Sequence, residues 1–171
     1  MSASYEGRPP PRRDGLVVRA DEIILLARLM LAVLFFVFGW DKLTHYGATV
    51  NNMAQHGLPL PAGAAAVAIA VELPLCILIL VGAWTRPLAL LLAVYAMATA
   101  LIGHRFWELD GTARYANAIN FYKNWSIMGG FLLLYVTGPG RYSLDHRLQA
   151  SEAEAASLKT DGSTQEPLNQ L

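Results

Sequence analysis

The chain has 171 residues, 54% of them apolar and 15% charged, and the apolar ones gather in long blocks rather than dispersing as in a soluble domain. Thirteen basic residues balance thirteen acidic ones, so no electrostatic case arises for a nucleic-acid partner. Cys76 is the single cysteine, which excludes a disulfide framework, a CxxC redox centre and a cysteine-built metal site within the chain.

Residues 1–21, with the run GRPPPRRDG, show no hydrophobic period. They read as a flexible cytoplasmic tail that its arginines draw toward anionic lipid. Asp21 is placed to cap a helix beginning near Glu22. The first apolar block, over about 22–42, follows a long polar stretch and contains Arg28. It is therefore expected to stay as a span rather than act as a signal peptide. Arg28, Ala32, Phe35, Gly39 and Lys42 fall on one stripe of that helix at 100° per residue. Gly39 permits a second helix to approach closely there.

Segment 43–60 is too polar and broken to cross a bilayer, and YGATVNNMAQH within it suits a short interfacial helix. The glycine and prolines of HGLPLPAG turn the chain into a second apolar helix over about 62–82. Its alanines favour tight packing, and Pro74 removes the donor for the Ala70 carbonyl. The short link GAWTRP makes the next helix, 87–103, an antiparallel neighbour. Residues 104–120 form a polar, aromatic loop. A fourth helix has its strongly apolar part only between Trp125 and Val136, and NFYKN extends it toward the loop.

The expected fold is thus all-α: an antiparallel four-helix transmembrane bundle over 22–140, each span near the roughly 17–25 residues a bilayer requires. Residues 141–171, rich in Ser, Glu, Gln and Asn, are expected to form a largely disordered cytoplasmic tail. Arg8, Arg12, Arg13, Arg19, Arg86, Arg141, Arg147 and Lys159 outnumber Lys42, Arg105, Arg114 and Lys123 on the opposite side. With four crossings this bias puts both termini in the cytoplasm.

Glu72 is the chemically informative residue, alone in the apolar run AVAIAVELPLCILILVG. A carboxylate at mid-membrane costs about 2.5–3.5 kcal/mol on insertion scales, so it should face the bundle interior, protonated or paired. Counting depth by helical rise brings Arg28 within side-chain reach, with Lys42 a more distant competitor at the far end of the same stripe. An Arg28–Glu72 pair would either fix helix register or let Glu72 take a proton from a reduced quinone. A second group, Lys42, His104, Asn120, Lys123 and Asn124, is predicted near one membrane surface. It would receive an anion, a lipid headgroup or a quinone carbonyl, against the plainer alternative of snorkelling and capping. His45, His56 and His104 match no compact metal-ligand spacing, so no metal is predicted.

The order of R…F…GW.KL (Arg28, Phe35, Gly39, Trp40, Lys42, Leu43), GLPLP, Glu72, G.WTRP.A and NFYKNWSIMGG resembles the DoxX family over about 22–145. That resemblance implies a four-helix protein of the bacterial inner membrane. Relatives include a membrane subunit of a thiosulfate:quinone oxidoreductase and members proposed to assemble with redox-defence proteins. Arg28, Gly39, Lys42, Glu72, Thr85, Arg86, Asn120, Lys123 and Asn124 carry the family-like polar pattern. The expected function is a membrane subunit of a redox or respiratory assembly, touching quinone and joined by protein partners or further copies of itself. Electron carriers would come from a partner or the quinone. The alternatives are a scaffolding subunit without chemistry and a small solute or lipid transporter.

Overall fold

The computed structural model describes residues 14–165, with side chains over 19–158. The proline- and arginine-rich positions 1–13 and the last six residues lie outside the described residues. All described elements are helical: α1 (Asp14–Thr44), α2 (Tyr46–Gln55), α3 (Pro61–Val81), α4 (Thr85–Gly103), a 3₁₀ turn (Phe106–Glu108), α5 (Gly111–Thr137) and α6 (Leu144–Gln165). The principal packed pairs are α4 with α5 and α1 with α3, and α2 lies on α3.

Small side chains set these pairings. Ala65 and Ala68 on α3, and Ala89, Ala93, Ala96 and Ala100 on α4, are buried, and short side chains let helix backbones approach in a membrane. Larger residues fill the centre, where Phe35, Ile79, Leu92, Phe131 and Leu134 form one cluster. Leucine, valine and phenylalanine also cover the outward faces. A helix apolar on every side belongs in lipid.

Two glycines are required by close approach. A Cβ on Gly39 would lie 2.9 Å from the Cβ of Glu72, so α1 and α3 touch where the acid sits. Gly82 closes α3 at a positive φ of 72°, and a Cβ there would meet Ser143 and the Arg28 guanidinium. Left-handed backbone at a helix end is what glycine supplies without steric cost.

Among the described residues three helical segments, not the expected four, are long and apolar enough to cross a membrane: Arg19–Thr44, Pro61–Val81 and Thr85–Glu108. Helix α5 has sufficient length, 27 residues, but Asn117, Asn120, Lys123 and Asn124 occupy its first half. Its apolar second half is too short for a span. The placement of both termini in the cytoplasm assumed four crossings and falls with that count.

Helix α1 also begins earlier than expected. Asp21 lies inside it, and instead of capping it accepts a hydrogen bond from the Arg141 N–H at 2.9 Å. Residues 21, 28, 82 and 138–145 thus meet at one end of the bundle, the latch end. The opposite, loop end carries α2 and the 3₁₀ turn, joined where Arg105 donates to the His56 carbonyl. Beyond the latch, α6 runs through the segment read from sequence as a tail, and its residues from 146 to 158 are exposed.

Candidate functional site: a buried Lys42–Glu72–Tyr95 triad

Glu72 stands in the middle of α3 with its side chain 6% exposed. Its two oxygens have different donors. Lys42 Nζ, from the last turn of α1, donates to Oε2 at 2.7 Å, and Tyr95 Oη, from α4, donates to Oε1 at 2.6 Å. Gly39 makes the first bond possible, since its missing side chain lets α1 lie against Glu72 one turn below Lys42. The lysine head lies 5.8 Å from the centre of the Phe38 ring, and its side chain remains 25% exposed. Tyr95 leans on Phe35 at 6.2 Å between ring centres, and Phe35 meets Phe131 edge-on at 5.4 Å. Three helices therefore hold one carboxylate between a cation and a phenol, with an aromatic floor beneath.

Both contacts are charge-assisted hydrogen bonds, the stronger class. In a low-dielectric setting their loss leaves a charge uncompensated, which costs about 3–5 kcal/mol when one partner of a buried pair is removed. An acid held this way, with a phenol on one oxygen and an ammonium on the other, has the group types from which proton relays are built. Intramembrane acids characteristically serve in such relays.

The expected Arg28–Glu72 pair does not form. Arg28 is 1% exposed and spends its guanidinium on backbone carbonyls. Nε donates to Ile79 at 3.0 Å, and Nη2 donates to Leu80. Nη1 donates to Pro139 at 2.6 Å and Tyr142 at 2.9 Å. The cause is register. With Gly39 against Glu72, Arg28 falls about 16 Å back along α1 by helical rise, beside the end of antiparallel α3. The last carbonyls of that helix lack intrahelical donors, and arginine's fork fits them.

The same end is closed by Asp145, whose two oxygens accept the N–H groups of Trp84 (2.7 Å) and Thr85 (2.9 Å) at the start of α4. Ser143 caps α6 by accepting the His146 N–H at 3.2 Å. Together, Arg28, Asp21 and Asp145 tie residues 138–145 to α1, α3 and α4.

The second predicted group is not brought together as one site. Lys42 belongs to the Glu72 triad. His104 Nδ1 pairs with Asn117 Oδ1 at 3.3 Å. Asn124 donates to the Asn120 carbonyl within α5 at 3.0 Å, and Lys123 is exposed. His45 and His56 make local contacts with Asp41 and the Asn52 carbonyl. Sequence reasoning missed Tyr95, Asn117 and Asp145. Tyr95 carried a detectable signal, a phenol in an otherwise apolar helix whose hydroxyl needs a partner when buried.

The family model for DoxX matches residues 23–105, from α1 through α4. The chain is similar to the inner membrane protein YphA of Escherichia coli K12, 47% identical over 125 residues that cover 73% of this chain and 89% of that protein. It is also similar to the inner membrane protein YqjF of the same organism, 38% identical over 128 residues covering 75% and 93%. No solved structure matches the chain. Identity at this level over nearly the whole of each relative makes the chain a member of the DoxX family and a multi-pass protein of the bacterial inner membrane.

Proposed function

We propose that this protein is the membrane subunit of a redox or respiratory assembly, in which the Lys42–Glu72–Tyr95 triad handles a proton for a quinone-type partner. Oxidation of a quinol releases two protons with its two electrons, and within a bilayer those protons need a base shielded from lipid. Glu72 meets that requirement, being enclosed by three helices with a donor on each oxygen. This observation carries the reading. Electrons pass between the quinone and a partner subunit, since such chemistry belongs to cofactors rather than to these side chains.

One observation favours a scaffolding role instead: each oxygen of Glu72 already has a donor, which suffices to fix the register of α1, α3 and α4. The two readings differ in what they require of a ligand. Gentle extraction from the native membrane, followed by titration with a short-chain quinone analogue, separates them. The redox reading expects saturable binding that E72Q weakens about tenfold or more, as loss of a charged hydrogen-bond partner implies, while the thermal transition shows the variant still folded. No binding in the wild-type assembly, with E72Q dissolving that assembly, makes the triad a scaffold.

A further inference from the structure

The inward faces of the bundle differ at its two ends. Toward the latch end they are sealed: Arg28, Ile79, Thr85 and Leu134 are all buried. Toward the loop end Ala65, Ala68, Ala96, Ala100 and Phe121 are buried as well, but polar side chains that are only half-buried stand among them. Asn117, Asn124 and Phe131 follow one another at seven-residue intervals on α5, close to two helical turns, and so share one face. Phe131 is 1% exposed with its ring against Phe35, which makes that face the inward one. Asn117 and Asn124 are nevertheless only half-buried.

Helix α4 supplies the other side. Thr99 lies one turn beyond Tyr95 and is half-buried. His104, just past the end of α4, is bonded to Asn117. That bond sets the antiparallel register of α4 and α5, which places Asn124 at a height between Tyr95 and Thr99. From α1, Lys42 is 25% exposed while the acid it holds is 6% exposed, so the triad opens on its lysine side, and Tyr95 is half-buried on the other.

We infer that these side chains line a water-bearing column from the loop end to Glu72, ordered as His104–Asn117, Thr99, Asn124, then Lys42 and Tyr95, through which a proton reaches the acid. Successive turns stand about 5.4 Å apart, a gap that one water bridges between two polar groups. Polar capacity remains to hold such waters. Thr99 donates to the Ala96 carbonyl and keeps its acceptor lone pairs. Asn124 commits its amide nitrogen to Asn120, leaving the oxygen as acceptor. Lys42 gives one of three protons to Glu72. A buried water needs two to four such partners. Titratable groups facing the end of the route are Lys42 from α1, Tyr95 from α4 and Cys76 one turn along α3.

The column rests on the proton-handling reading for its purpose, but its existence is tested separately. N117C, N124C and T99C are made singly and reacted in lipid nanodiscs with a small, charged, water-soluble methanethiosulfonate. V94C and L133C, whose native residues are 61% and 65% exposed on outward faces of the same two helices, serve as lipid-facing controls. The parent chain gives the background of buried Cys76. Thiols ionise and react only where water reaches them, so the column predicts labelling at 117, 124 and 99 about tenfold or more faster than at 94 and 133. Labelling at 124 and 99 no faster than at the controls overturns it. Hydroxyl-radical footprinting of the unsubstituted protein covers the case of a variant that fails to fold: Tyr95 is oxidised if the column holds water, and its protection from modification overturns the inference. Labelling without any quinone-analogue binding would leave the column standing and remove the redox reading, and a dry column with binding intact would do the reverse.

Discussion

Gly39 and Glu72 are in direct backbone-to-side-chain apposition, a contact that leaves no room for a Cβ on residue 39, 2.9 Å from the Cβ of the acid. It sets the register of α1 against α3, and that register delivers Lys42 rather than Arg28 to the carboxylate. Helix packing thereby chooses the electrostatic partner.

Substitution at Gly39 should therefore act on the triad. G39A inserts a methyl between packed helices, and overpacking of this kind costs about 1–3 kcal/mol. G47A is the matched control, since nothing lies within 4 Å of a Cβ there. Unfolding free energies from denaturing-detergent titration should show a loss for the first and near-neutrality for the second. Equal effects would remove close approach as the explanation.

K42M leaves the Glu72 charge without its cation, and a loss of about 3–5 kcal/mol is expected. K42M combined with E72L removes both charges and should recover most of that loss. A double-mutant cycle over the two positions reads the coupling directly. Additive single and double losses would mean that the 2.7 Å contact contributes no pairwise energy.

Y95F deletes one donor and keeps the ring on Phe35. The loss expected for a hydrogen bond to a charged group is about 1.5–3 kcal/mol, read by the same titration. Because Lys42 is untouched, Y95F should destabilise less than K42M. The reverse order would assign Tyr95 the larger share of charge compensation.

R28K keeps the charge and loses the fork. A lysine ammonium has three donors against arginine's five, so it cannot satisfy carbonyls of Ile79, Leu80, Pro139 and Tyr142 together. Residues 138–143 should then be cut by protease markedly faster in R28K than in the parent chain, while the triad's response to K42M is unchanged. Wild-type resistance in R28K would show that charge alone holds the latch.

Much of this was legible in the sequence. A lone acid in an apolar run pointed inward, and the Gly39 stripe anticipated the α1–α3 contact. The partner of Glu72 was not legible, because the register between two helices is written in neither helix's own pattern. Arg28 was misassigned because its acceptors are backbone carbonyls, which leave no mark in a sequence. Helix α5 reads as a span from sequence because its part from Trp125 to Val136 is strongly apolar. The sequence reading takes Asn120 and Asn124 as the outer end of that helix, whereas Asn124 shares the inward face of Phe131. Tyr95 passed unnoticed among the alanines and leucines of α4, although a buried phenol must find an acceptor.

The triad's part in proton handling is tested most directly by redox-induced difference infrared spectroscopy of the assembly extracted from its native membrane. On the proposed redox reading, oxidising and reducing an added quinone analogue should change a carboxyl absorption, and that change should vanish in E72Q. A difference spectrum that is the same in wild type and E72Q would show that Glu72 neither gains nor loses a proton during turnover, and the account of this site as chemistry rather than packing would be contradicted.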